Sequence, residues 1–161
     1  MELNSISKRN IDRFDNVQVI PKAVSDKKGR KKLLLSDILP AWHTLERDVH
    51  VPFSDRPIVD GDRYSYVEVD TIDNIIFDLQ IDHIDFMKMD IIGAELRALK
   101  GAVETLQKTK HVFVAPQKNA SKVREFLEKN DFITKVEVYS PEIPYILVYG
   151  TKVDLNNSRA D

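Results

Sequence analysis

Residues 84–102 read IDFMKMDIIGAELRALKGA. Ile84, Phe86, Met87 and Met89 form a short apolar run of the kind a strand in a covered sheet requires. The period then changes, because Leu96, Leu99, Val103 and Leu106 fall on one helical face. Gly93 stands where the chain must reverse direction. The stretch therefore predicts a buried β-strand, a tight turn and an amphipathic helix, the central unit of an α/β domain.

Working outward, Val67 to Asp70 alternates as a half-buried strand, and Thr71 is placed to cap a helix carrying Ile72, Ile75, Ile76 and Leu79 on one face. On the other side, His111 to Ala115 predicts a strand stopped by Pro116, followed by a helix from Ala120 to Lys129 with Asn130 at its left-handed end. Two β-rich runs, Ile133 to Tyr139 and Tyr145 to Thr151, follow, joined through Pro141 and Pro144. Toward the N-terminus, a short helix is expected from about Asn4. A strand Val17 to Ile20 ends at Pro21, a turn spans Ser25 to Gly29, and a further strand covers Leu33 to Leu35. Residues 37–66 have no sustained period and carry Pro40, Pro52, Pro57 and Gly61. They read as a long excursion in which Trp42, Tyr64 and Tyr66 either cover a cleft or anchor the loop to the core. Strand–helix alternation closed by a β-pair is the pattern of an open, mostly parallel sheet with an antiparallel edge. One domain is expected over residues 1–153, with a polar tail at 154–161.

The 161 residues include 24 basic and 26 acidic side chains, a balance that gives no field for binding nucleic acid. There is no cysteine, which excludes disulfide scaffolds, thiolate nucleophiles and cysteine-based zinc sites and leaves the cytoplasm as the default compartment. The first ten residues, MELNSISKRN, lack the apolar stretch of a secretory signal, and no segment approaches the ~20 apolar residues of a membrane helix. A soluble chain with no membrane partner is expected. Asp82, His83, Asp85 and Asp90 suggest a cation site, but Asp82 and Asp85 precede or begin the predicted strand while Asp90 follows it. At ~3.3 Å per residue Asp90 stands roughly 16 Å from Asp85, too far for one metal. The histidines at 43, 50, 83 and 111 show no metal-binding spacing and read as surface or loop residues. No Gly-x-Ser-x-Gly is present.

The string KMDIIGAELRALKGA resembles the hallmark of the FkbM family of S-adenosylmethionine-dependent methyltransferases, with Lys88, Asp90, Gly93, Ala94, Glu95, Leu96, Leu99, Lys100, Gly101 and Ala102 matching it. NVQVIPKAVSDKKG is similar to the family's third strand and following turn, VEVDTIDNII to the segment before the hallmark, and FLEKNDF to one after it. The resemblance covers most of residues 10–150. It implies a Rossmann-like class I methyltransferase sheet ordered third, second, first, fourth, fifth, seventh, sixth. It also implies S-adenosylmethionine as cofactor and O-methylation of a hydroxyl on a sugar or small metabolite. On the same ground Asp90, Glu95 and Lys88 are catalytic candidates, and Ala23 and Val24 are candidate cofactor contacts.

Several family features are missing. The five glycines, at 29, 61, 93, 101 and 150, are never closer than eight residues apart, so no Gly-x-Gly cradle for the cofactor is present. The family's first two strands are absent. Ile92 stands where the family is usually acidic, and Ala115-Pro116-Gln117 replaces an acidic strand end. The expectation is a partial sheet, incomplete as an enzyme, with Val17 to Pro21 docking beside Ile84 to Met89. The alternatives are a non-catalytic α/β binding or assembly module, or one half of a split methyltransferase. In either, a second copy or a partner chain would cover the open sheet edge. Read without the family, Asp90 is either a helix cap or a site residue, Glu95 is a first-turn charge complementing the helix dipole, and Lys88 requires a carboxylate partner or a route to solvent.

Overall fold

A computed structural model describes residues 11, 14–36, 38–50, 55–138 and 146–153. In chain order its strands are β1 (Ala23–Val24), β2 (Gly29–Leu34), β3 (Tyr64–Asp70), β4 (Ile84–Met89), β5 (Thr109–Val114), β6 (Phe132–Val138) and β7 (Ile146–Lys152). Its helices are α1 (Ile72–Asp78), α2 (Glu95–Lys100), α3 (Val103–Gln107) and α4 (Ala120–Glu128), with a 3-10 turn at Pro40–Trp42. The helix expected near Asn4, the Pro141–Pro144 connection and the polar tail lie outside the described residues.

The C-terminal half is a four-stranded sheet in the order β4-β5-β7-β6, the order the resemblance implies for that half. β4 and β5 are parallel, while β5–β7 and β6–β7 are antiparallel, giving the expected antiparallel edge. The main core lies against this sheet. Val112, Val114 and Val148 meet Ala98 and Leu99 of α2, Leu106 of α3, and Val123 and Leu127 of α4, all essentially inaccessible to water. Each buried aliphatic side chain here contributes roughly 1.5–3 kcal/mol. β4 forms as predicted but is not buried. Among the described residues it has no strand on its other side, and Phe86 is 58% exposed.

A second sheet, ordered β1-β3-β2, carries the N-terminal strands. The strand expected at Val17 to Ile20 does not form. Proline has no N–H for a ladder, and Lys22 N–H closes back on Ile20 O at 2.8 Å, so the chain pivots at Pro21 before pairing begins. β1 then pairs in parallel with β3, through Ala23 with Val69 and Val24 with Asp70, so this segment docks on β3 and not beside β4. β2 starts at Gly29, earlier than the apolar run suggests, because its cations find aromatic partners across the strand. Lys32 Nζ lies 4.0 Å from the Tyr64 ring and the Arg30 guanidinium 4.7 Å from the Tyr66 ring.

The single amphipathic helix expected after Gly93 is two short ones. Gly101 and Ala102 separate α2 from α3, and their N–H groups close back on Ala98 O and Leu99 O. The break turns Val103 out to 44% exposure while Leu99 and Leu106 stay buried. After α4 the left-handed residue is Asp131 (φ 64°) in place of Asn130, whose side-chain amide instead donates to Phe126 O at 2.8 Å.

The described part of the long excursion folds back over the end of β4. Thr44 and Leu34 exchange backbone hydrogen bonds at 2.8 and 3.1 Å, and Val49 and Ile58 bury against Ile92 with Trp42 and Val59 beside them. Trp42 thus anchors the loop, whereas Tyr64 and Tyr66 lie exposed on β3. Among the described residues no helix is long and apolar enough to cross a membrane.

Candidate functional site

Beyond Met89 the chain enters a loop, Asp90 to Ala94, with two left-handed residues in succession, Ile92 (φ 52°) and Gly93 (φ 89°). For a β-branched residue such as Ile92 this conformation costs about 1–3 kcal/mol, so the surroundings must hold it. Three hydrogen bonds do so. Ile91 N–H and Gly93 N–H both donate to Glu95 Oε1 at 3.1 Å, and the Thr44 hydroxyl donates to Ile92 O at 2.6 Å. Packing of the Ile92 side chain on Val49 and Ile58 adds to them.

Glu95 keeps the first-turn position expected of it and is also a buried clasp for the loop. Its side chain is fully buried, and Oε2 has no hydrogen-bond partner among the described residues. Burial pushes its pKa up, only partly offset by the backbone N–H groups it accepts from. With the folded pKa raised above the ordinary 4.5, the contribution of this group to stability is complete at acid pH and declines as pH rises through the folded value. Glu95→Gln keeps the Oε1 acceptor and removes the titration. Thermal melts of the variant are expected to lack the decline that the parent shows as pH rises from the ordinary 4.5 through the raised folded value. An identical pH profile in both proteins would contradict the burial of a titrating carboxyl.

Asp90 is not a helix cap, since Ala94 occupies that position. Its side chain is 40% exposed, and Oδ2 stands 3.6 Å from Lys88 Nζ, itself 60% exposed. Lys88 thus has both the carboxylate partner and the route to solvent that its place in an apolar strand requires. Asp90 borders a cavity of about 270 Å³ whose wall also includes Lys22, Ala23, Val24, His43 and Ile91, with Leu33 and Leu45 among its aliphatic lining. Ala23, Val24 and Asp90, far apart in sequence, are thereby brought together. Lys88 and Glu95 do not line this cavity, so the first bears on it through Asp90 and the second through the loop.

Two polar residues of the wall carry no sequence signal. Lys22 is tied to Asp70 at 2.8 Å, and Asp70 also accepts from Asn74 Nδ2 at 2.9 Å and from Thr71 N–H at 3.0 Å. The Lys22 ammonium, then the Asn74 amide, hold the Asp70 carboxyl at about 2. His43, read from sequence as a surface or loop residue, is half-buried, and its Nδ1 accepts Ser36 N–H at 3.0 Å. Burial, with the Arg63 charge second, pushes its pKa below the ordinary 6.5.

For S-adenosylmethionine these residues supply a wall but no cradle. Close backbone approach to such a ligand requires glycines with open space, and the two glycines nearest the loop are packed. A side-chain carbon on Gly93 would meet Val49 Cγ2 at 2.7 Å, and one on Gly101 would meet Ser25 O at 2.2 Å. The described residues do not fit the whole cofactor.

No curated protein and no solved structure matches the chain. The family model described as the methyltransferase FkbM domain matches residues 9–147, which include strands β1 to β6, the Asp90 to Ala94 loop and every described residue of the cavity wall, and the chain belongs to the FkbM methyltransferase family.

Proposed function

We propose that the chain acts in S-adenosylmethionine-dependent O-methylation of a hydroxyl on a sugar or small metabolite, in the cytoplasm, and that it does not hold the cofactor unaided. The observation that carries this reading is the convergence of Ala23, Val24 and Asp90 on one cavity at the C-terminal end of β4. Open α/β sheets bind ligands at that end of their strands. On this reading Asp90, which borders the cavity, accepts the hydroxyl proton as a general base. Because the cofactor has a wall here and no glycine cradle, calorimetric titration of the purified chain with S-adenosylmethionine is expected to give no binding in the micromolar range. Micromolar affinity for the chain alone would show that the pocket is complete.

Among the described residues β4 has no strand on its outer edge, which favours a second reading, in which a partner chain or a second copy adds a strand there, as in a split methyltransferase or an assembly module. Phe86 is 58% exposed on that strand and Phe77 of α1 is 77% exposed. Exposed apolar edges of this kind are templates for strand addition. Sedimentation of the chain as a monomer at all concentrations would exclude the self-paired form.

A further inference from the structure

The polar groups of the 270 Å³ cavity differ in how far they are already committed. Lys22 is spent on Asp70, and the remaining wall is mostly aliphatic. His43 is held from two sides. It follows the Pro40–Trp42 turn, and its neighbour Thr44 is bonded to Leu34 through the backbone and to Ile92 O through its hydroxyl. Ser36, whose N–H donates to Nδ1, is itself anchored by its hydroxyl to Ile58 O at 2.9 Å. A neutral imidazole whose Nδ1 accepts must carry its proton on Nε2, so the ring has a fixed tautomer with one free donor. Among the described residues, Nε2 has no hydrogen-bond partner.

We propose that His43 is a ligand-binding residue of this cavity, its Nε2–H donating to one oxygen of a vicinal diol while the Asp90 carboxylate accepts from the neighbouring hydroxyl. The proposal rests on the reading of this cavity as the functional site. A hydroxyl pair is the chemistry that satisfies both groups, because each hydroxyl both donates and accepts. A carbonyl-only ligand would offer Asp90 no donor to add to the Lys88 ammonium 3.6 Å away. A phosphate or carboxylate would meet the Asp90 charge with Lys22 already paired. The aliphatic lining from Ala23, Val24 and Leu45 suits the C–H face of a sugar ring. Two sources offer a vicinal diol, the ribose of a nucleoside-type cofactor and a sugar acceptor.

The test compares the full chain with His43→Asn and His43→Gln. Asparagine keeps an acceptor for Ser36 N–H and lacks the donor, whereas glutamine can extend an amide N–H toward the Nε2 position. The probes, at millimolar concentration, are adenosine, 2′-deoxyadenosine and a methyl hexopyranoside, followed by amide shifts at residues 22–24, 43 and 90–94. In the parent, adenosine but not 2′-deoxyadenosine shifts these amides if ribose is the source, and the glycoside shifts them if a sugar acceptor is. With whichever probe binds, His43→Asn weakens binding about 5-fold and His43→Gln by less than about 2-fold. The Nε2–H resonance of the parent ring moves on saturation, a readout that does not depend on either variant folding. Equal affinity in parent and His43→Asn, an unmoved Nε2–H resonance, or equal binding of adenosine and 2′-deoxyadenosine with the glycoside silent would overturn the proposal. Silence of all three probes in the parent would overturn the reading of the cavity itself, and the proposal with it.

Discussion

Replacing Gly101 by alanine is expected to lower the free energy of unfolding by about 3 kcal/mol or more, the upper range for overpacking. The added carbon would sit 2.2 Å from Ser25 O, a backbone atom that no rotamer change can move. Ser25 is fully buried and its N–H donates to Asp70 O at 2.9 Å, so shifting it pulls on the β1–β3 junction. Gly101 O in turn accepts Asp73 N–H at 2.9 Å at the start of α1. One methyl group therefore pushes apart the break between α2 and α3, strand β1 and the first turn of α1. The cost is steric and not conformational, because φ at Gly101 is −95°, open to any residue. Gly93 is the opposite case, since its φ of 89° is a strain for alanine while its contact, Val49 Cγ2, is a side chain that can give way. Urea denaturation with an unchanged slope checks the Gly101 value, and a loss within about 0.5 kcal/mol, the usual range for surface changes, would show that Ser25 can move freely.

Asp70→Ala is expected to cost a comparable amount, about 3 kcal/mol, because it strands the Lys22 ammonium and removes the acceptor of Thr71 N–H and of the Asn74 amide in a site where Asp70 itself is 1% exposed. The pH dependence has a definite sign. The folded pKa, about 2, lies below the ordinary 3.8, so the contribution is present above the ordinary value and is lost as pH falls through the folded one. After allowance for the partly exposed Lys22, this accounts for on the order of 1–2 kcal/mol of acid sensitivity. Acid titration of unfolding stability from about pH 5 to pH 2 is therefore expected to be shallower in Asp70→Ala than in the parent. Parallel curves would mean that the Lys22 pair does not form. The effect also bears on the cavity, where Asp70 fixes the position of Lys22.

The elements legible in the sequence are those whose packing follows from local period. The strand at Ile84–Met89, the helix capped by Thr71, the helix from Ala120 and the terminal β-pair all form within a few residues of their expected limits. The misplaced features depend on distant atoms. Nothing in GRKK marks a strand until Tyr64 and Tyr66 lie across from it. The break at Gly101 reflects Ser25, 76 residues earlier in the chain. Glu95 carries the pattern of a first-turn carboxylate, and only the left-handed Ile92–Gly93 pair shows why it must fold under the loop. In the candidate site, Ala23, Val24 and Asp90 were accessible through the family resemblance, and the structure places them on one wall. His43 was not, because one histidine in a loop without period gives no hint of its Ser36 partner or of the cavity it borders.

The most direct test of the cavity at the end of β4 as the functional site is amide shift mapping of the full chain with S-adenosylmethionine at millimolar concentration, where a half-formed site still shows weak binding. The expected result is a set of shifts centred on residues 22–24 and 90–94. Shifts centred on the clefts beside Phe77 and Asp82 or beside Arg97 and Lys100, with Asp90 and its loop unmoved, would contradict it.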